Sequence, residues 1–355
     1  MKKRFKKCCL LFSAFLVSFA LTYIIVSTHL RSAAFIATDP ITILLWTKWC
    51  GKTVYPYFPE NVVDQSCPYS CMYTRNRAGI YASAAVLFHG KDISLKDMPT
   101  YRHSDQRWIF FSLEPPTHMS SSILDHLRGV FNVTLTYRLD SDVTSQYGYT
   151  FQPVEAKLKK QKTVNKTGFA AWFVSNCKTQ SHREKYVAEL QKTVPVDVYG
   201  RCGNLTCEPK ASDTCYKTIA DKYYFYLSFE NSICKDYVTE KFYRPLKYDI
   251  IPVTLGGANY SSIAPHRSYI HALDFDSPEE LGIYLAHVAE NHDVYESYFT
   301  WKNKYRLKYE NLACKLCTKI HQLYESQKVF VYDDFRKWLD GDAHCTAWEK
   351  HRRRL

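Results

Sequence analysis

The run SFENSICKDYVTEK, Ser228 to Lys241, gathers carboxylates, an amide, hydroxyls and ammonium groups directly behind the apolar segment YFYLSF. A helix opening at Asp236 places Tyr237, Glu240, Lys241 and Arg244 at i, i+3, i+4 and i+7 on one face, with Val238 and Phe242 on another. A polar stripe of that kind is the ordinary pattern of a solvated helix face. Its position argues for more, because a helix N-terminus and a lysine just past a buried strand can both face phosphate oxygens. Carboxylate, amide and ammonium groups together there suit a nucleotide-sugar. A second carboxylate, Glu114, closes the apolar run WIFFSL and precedes Pro115 and Pro116. That position presents it at the carboxyl edge of a strand, where attack by a sugar hydroxyl needs a group to accept the proton. The plain alternative is a loop glutamate solvated beside prolines.

Both segments must be positioned by regular structure. From Ile41 onward the sequence offers strands in ITILLW, AAVLF, WIFFSL, NVTLTY, AAWFVS, VDVYG, YFYLSF and IIPVTLGG, separated by helical patterns such as HREKYVAELQKT and SPEELGIYLAHVAENH. Strands alternating with helices imply α/β architecture with parallel, doubly wound sheets. The Lys-rich stretch EAKLKKQKTVNKTG, 155–168, has few residues able to join a core and reads as a linker. It separates a unit over 41–154 from one over 169–310, each of ordinary domain size, with a C-terminal segment over 311–355. Ligands of such sheets sit at the carboxyl ends of strands, so a cleft between the two units is the expected site.

The first 40 residues bear on compartment. Five of the first seven are Lys or Arg, forming a cytosolic tail, and residues 8–27 carry no charge, the length of one membrane span. The positive-inside rule keeps residues 1–7 in the cytosol and places everything after a short stem, 28–40, on the lumenal side. A cleaved signal peptide is the alternative, although its apolar region is expected to be shorter. Of thirteen cysteines, Cys8 and Cys9 lie at the span, leaving eleven on the oxidising side, where pairing is the default and an odd number leaves one over. Sequons at Asn132, Asn165, Asn204 and Asn259 agree with that side. The net charge of +12 is scattered apart from the two termini, and a lumenal address excludes nucleic acid as the natural partner.

The segment SFENSICKDYVTEKFY resembles the signature of the alpha-1,3-fucosyltransferase family. So do RWIFFSLEPPTH, NVTLTYRLDSD with the following YG, WFVSNC with Arg183 behind it, VDVYGRCG and IIPVTLGG, all in the family's order from about Trp46 to Tyr305. The resemblance implies a GT-B fold of two Rossmann-like domains, after an N-terminal signal-anchor in the Golgi membrane. It implies inverting transfer of L-fucose from GDP-beta-L-fucose to the 3-hydroxyl of a GlcNAc on a glycoprotein N-glycan. Glu114 is then the general base. Arg183 and Lys241 supply charge to the leaving diphosphate, and the remaining donor contacts are Tyr147, Ser175, Asn176, Tyr226, Asn231, Tyr237, Thr239 and Glu240. No metal cofactor is required, a divalent cation being stimulatory at most. Asp140-Ser141-Asp142 spells the metal-binding DxD of a different glycosyltransferase fold, but in this family those letters fall in a loop.

Within the same picture, Cys67 and Cys71 lie near the start of the first unit and Cys314 and Cys317 form a CxxC in a helical stretch, so two bridges would tie the C-terminal segment back. Cys202, Cys207 and Cys215 surround a loop, and Cys177 is in sequence reach of Cys234; the pairing stays open. The acceptor is open between the protein-linked core GlcNAc, favoured by the loops YGRCGNLTC and ENSICKDYVTEKFY, and the GlcNAc of lactosamine antennae. Another inverting GT-B transferase and an inactive Golgi glycan-binding protein are the other readings. Pro245 should end or kink the helix bearing Glu240. The tail from Tyr324 onward lies outside the resemblance and carries no assigned role.

Overall fold

The computed structural model describes residues 40–64, 66–154, 165–210 and 212–351. Its first sheet is built from β1 (Ile41–Leu45), β2 (Cys71–Thr74), β3 (Ala85–His89), β4 (Arg107–Ser112), β5 (Val133–Thr136) and β6 (Val143–Thr144), in the order β2-β1-β3-β4-β5-β6. Every pairing in it is parallel. A short strand β7 (Tyr149–Phe151) leaves this unit. The second sheet follows with β8 (Gly168–Phe173), β9 (Val196–Tyr199), β10 (Tyr223–Phe229), β11 (Ile251–Leu255) and β12 (Ile270–His271), in the order β12-β11-β10-β8-β9 and again parallel throughout. Last, β13 (Arg306–Lys308) returns to pair antiparallel with β7.

The inner strands are buried on both faces, which is why they read as unbroken apolar runs. On one face of the first sheet Ile43, Leu87, Ile109 and Phe111 meet Leu316 and Ile320 of the helix Leu312–Glu325. On the other, Val86, Phe88 and Phe110 meet Phe131, Phe335 and Leu339. The second sheet is covered on one face by the helices Arg183–Leu190 and Pro278–Glu290, and on the other by Asp213–Lys222. All eight strands expected from the sequence are present. The strands not foreseen, β2, β6, β7, β12 and β13, are short or at sheet edges, where half-exposed residues dilute the apolar signal.

The C-terminal segment closes on the first sheet through two bridges, as expected, paired Cys67–Cys314 and Cys71–Cys317. Cys177 does not pair with Cys234. It turns toward the neighbouring strand and bonds Cys202 in the loop after β9, while Cys207 bonds Cys215 and Cys234 bonds Cys345 of the tail. Exposed Cys50 is the cysteine left over among the described residues. Asn132 is not an accessible sequon. It is 5% exposed, its amide donates to Phe330 O at 2.7 Å, and its carbonyl accepts from Trp108 N at 3.0 Å and from Arg102. Asn165, Asn204 and Asn259 are exposed.

The expected span at 8–27, the cytosolic tail, nearly all of the stem and most of the linker lie outside the described residues. Among those that are described, no helix is long and apolar enough to cross a membrane.

Candidate active site

Two glutamates occupy matching places. Glu114 stands two residues beyond β4, and Glu230 directly follows β10, so each lies at the carboxyl end of a central parallel strand. Glu114 is half-buried. Its carboxylate lies 3.0 Å from His118 Nδ1 and accepts the Tyr237 hydroxyl, which comes from the second sheet's side, at 3.2 Å. Burial alone would raise its pKa. The hydrogen bond and charge of His118, the charge of Lys241 and the Tyr237 hydroxyl outweigh burial and hold the carboxyl below its usual range. Ser112 Oγ accepts from Glu114 N at 3.2 Å and donates to its carbonyl at 2.9 Å, fixing the turn that aims the side chain.

Glu230 is fully buried. It accepts from Thr239 N at 2.8 Å, from Thr239 Oγ1 at 2.8 and 3.0 Å, and from Lys241 Nζ at 3.1 Å. Burial pushes its carboxyl up against the opposing pull of Lys241. Burial would likewise lower Lys241, but Glu230 and Glu240 override it and hold the ammonium protonated. This polar knot organises the segment singled out in the sequence, though not as one helix. Asp236 is in the left-handed region at φ 63°, and only one helical turn forms, Glu240–Tyr243, with Thr239 as its N-cap. Pro245 then turns the chain into a 3-10 turn, as its ring demands. Tyr237 and Thr239 therefore sit before the helix, buried, rather than along its face.

A cleft of about 240 Å³ opens at the carboxyl ends of β8 and β9, lined by Ser175, Arg183, Tyr199, Tyr226, Glu240 and Lys241 among others. Arg183 is 3% exposed, and burial lowers its pKa. Nη1 donates to Phe229 O at 2.5 Å and Nη2 to Asn176 O at 3.4 Å, which leaves buried Nε without a partner. Asn231 Oδ1 is also buried and unpartnered. Tyr226 is packed beneath the cleft with its hydroxyl 3.2 Å from that of Tyr216. Of the remaining expected residues, Asn176 is exposed beside Arg183. Tyr147 is not in the cleft; it packs between the first sheet's core and the cluster around Phe242 and Tyr243, and donates to Leu113 O at 3.1 Å, one residue from Glu114.

Asp140 is bound by Arg138 Nε and Nη2 at 2.8 and 2.6 Å. Asp142 accepts from Thr134 N at 2.9 Å and from the Tyr332 hydroxyl at 2.8 Å. Both carboxylates of that motif thus brace the fold. Glu230 and His118 fall within the family motifs, which assign neither a role. The signals that could have found them are the spacing of His118 four residues after Glu114 and the place of Glu230 just past an apolar strand.

A carboxylate beyond one sheet, bonded by a hydroxyl from the segment whose Lys241 lines a cleft on the other, suits group transfer. Two family patterns match, "Fucosyltransferase, N-terminal" over residues 38–148 and "Glycosyltransferase family 10 (fucosyltransferase) C-term" over 163–338. Alpha-(1,3)-fucosyltransferase C of Drosophila melanogaster is 36% identical over 329 residues, covering 84% of this chain and 77% of that one. Glycoprotein 3-alpha-L-fucosyltransferase A of the same organism is 34% identical over 320 residues, covering 87% of this chain and 61% of the longer relative. A crystal structure of an alpha1,3-fucosyltransferase with GDP superposes with a TM-score of 0.54 at 16% identity, covering 83% of this chain and 92% of that one. The chain belongs to glycosyltransferase family 10, the fucosyltransferases, and is a glycosyltransferase.

Proposed function

We propose that this enzyme transfers L-fucose from GDP-beta-L-fucose, with inversion, in alpha-1,3 linkage to a GlcNAc of glycoprotein N-glycans. The observation that carries the reading is the Tyr237 hydroxyl on Glu114, which joins the carboxylate of one sheet to the segment bearing Lys241 on the other. Glu114 takes the proton of the attacking hydroxyl as the new bond forms. Lys241, held protonated, and Arg183, whose buried Nε has no protein partner, offset the charge that develops on the departing diphosphate. Ser175, Asn176, Tyr226, Asn231, Thr239 and Glu240 surround the nucleotide-sugar. Tyr147 braces the turn of Glu114 instead. Crystal structures of similar fold are described with GDP and with GDP-fucose, which supports this donor.

The two sheets facing one site are the two Rossmann-like domains of a GT-B enzyme in this reading. Residues 8–27 anchor it in the Golgi membrane with the catalytic part in the lumen, an address that the five disulfides favour. The chemistry is carried by protein cations, so a chelator should leave turnover intact. The core, protein-linked GlcNAc is the preferred acceptor, in keeping with the similarity to a glycoprotein 3-alpha-L-fucosyltransferase. The deciding experiment assays GDP-fucose transfer to a trimmed N-glycan and to N-acetyllactosamine in parallel. Transfer to the trimmed glycan is expected. Activity on lactosamine alone would assign the enzyme to antennae, a specificity named in a mouse relative that is 39% identical over 297 residues.

A further inference from the structure

The family match ends at residue 338, yet the ten residues beyond Asp340 are built into the segment that holds the site. Lys235 N donates to Ala343 O at 2.8 Å, and Thr346 N donates to Ile233 O at 2.9 Å. Between these two bonds Cys345 is joined to Cys234. On its other side the same segment lies against Gly257, where an added Cβ would stand 2.7 Å from Cys234 O, so the loop Ile233–Lys235 is clamped from both sides. Two residues further along that loop is Tyr237, the hydroxyl donor to Glu114.

The tail then reaches the start of the helix that carries Arg183. Trp348 N donates to Ser181 O at 3.3 Å, and its indole N–H donates to His182 O at 3.2 Å. Its ring stands edge-on to Tyr186 at 5.0 Å, and Tyr186 in turn is edge-on to Phe229, whose carbonyl receives Arg183. Glu349 lies 2.9 Å from His182 Nδ1. His182 is in the left-handed region at φ 54°, a conformation a non-glycine residue holds only when its surroundings fix it. Ser181 Oγ donates to Glu230 O at 2.7 Å, so through Ser181 the tail is linked to the strand end whose carboxylate fixes Thr239 and Lys241.

We infer that the C-terminal strap Ala343–Glu349 is a positioning element for the donor site, with Trp348 and Glu349 setting the approach of Arg183 and the Cys234–Cys345 bridge setting that of Tyr237. None of these residues touches the reacting atoms. They act by holding two loops that unrelated parts of the chain deliver to one cleft. The inference rests on the donor reading given above.

The test uses the full chain in detergent, comparing wild type with Trp348→Ala, Trp348→Phe and Glu349→Gln. GDP affinity is measured by calorimetry on the folded fraction, with KM for GDP-fucose, KM for the acceptor and Tm alongside. Trp348→Ala and Glu349→Gln should weaken GDP and raise KM for GDP-fucose by about three- to tenfold, the scale of a lost hydrogen bond. Acceptor KM should stay unchanged, and Trp348→Phe, which keeps a ring on Tyr186, should recover part of the loss. A fall in Tm with GDP affinity unaltered would reduce the strap to a stability element and overturn the inference alone. A wild-type chain that does not bind GDP would sink the donor reading and the strap's role together.

Discussion

Glu114 and Glu230 stand at the ends of corresponding central strands, yet their surroundings push them in opposite directions. Glu114 keeps about a third of its side chain in solvent and is held below the usual carboxylate range by His118, Lys241 and Tyr237. Glu230 has no exposure, is raised by burial, and spends all its hydrogen-bonding capacity on Thr239 and Lys241. The position at a strand's carboxyl end does not itself make a base. What separates the two is whether the carboxylate is left an open face, which Glu114 has and Glu230 has not. In the proposed reaction, one sheet thereby supplies the proton acceptor, and the other uses its glutamate to hold Thr239 and Lys241 beside the donor.

The sharpest way to break this contrast is to neutralise each carboxylate separately. Glu114→Gln keeps the shape but removes the proton acceptor, and kcat should fall by about 10²- to 10⁴-fold while KM for GDP-fucose changes little. Glu230→Gln should do the reverse, raising KM for GDP-fucose because Thr239 and Lys241 lose their anchor. Steady-state rates with each substrate varied decide it. If Glu230→Gln reduced kcat as strongly with KM intact, the two roles would have to be exchanged.

Next in size is the ion pair beneath the donor site. Lys241→Ala leaves Glu230 buried and uncompensated, and unfolding in denaturant should show a loss of about 3–5 kcal/mol. Pairing Lys241→Met with Glu230→Gln removes both charges, so the double variant should recover most of that stability while donor binding stays lost. A double variant as unstable as Lys241→Ala alone would mean that packing, not charge, dominates this knot.

A smaller effect, on the first sheet, tests whether polar residues there are structural outside the Glu114 turn. Asn132→Ala strands the backbone groups of Trp108 and Phe330 and should cost about 1–3 kcal/mol in thermal or chemical unfolding, with the KM values unchanged. Peptide mapping of the full chain should find no glycan on Asn132, in contrast to exposed Asn165, Asn204 and Asn259. A glycan found on Asn132 would contradict its buried place between β4 and the tail.

The strands that carry both glutamates were legible because parallel strands buried on two faces need continuous apolar residues, and WIFFSL and YFYLSF have them. Glu114, Arg183, Glu240 and Lys241 were motif residues; the structure places Arg183, Glu240 and Lys241 on one cleft and ties Glu114 to their segment through the Tyr237 hydroxyl. The helix expected from Asp236 failed for a local reason, since a periodic pattern cannot reveal that Asp236 adopts positive φ and that Thr239 caps the turn onto a glutamate nine residues earlier. The Cys177–Cys234 pairing failed because β8 lies between β9 and β10, and sequence separation does not say toward which neighbour its following loop turns. Asn132 fits the sequon rule perfectly, and its burial between β4, Arg102 and the tail removes it from consideration.

The least drastic change probes what holds Glu114 ionised. Its pKa is depressed in the folded enzyme, so the carboxylate is charged above that value, and both activity and its contribution to stability are lost as pH falls through it. His118→Ala removes a hydrogen bond and a charge that oppose burial, leaving Lys241 and Tyr237 to do so alone. The acid limb of kcat/KM should therefore move to higher pH, with only a modest change in rate near neutrality, where the carboxylate remains charged. A pH profile of fucose transfer for wild type and His118→Ala measures the displacement directly. An acid limb that does not move would show that His118 merely lies beside Glu114, and that the contrast with Glu230 is maintained from the second sheet, through Lys241 and the Tyr237 hydroxyl.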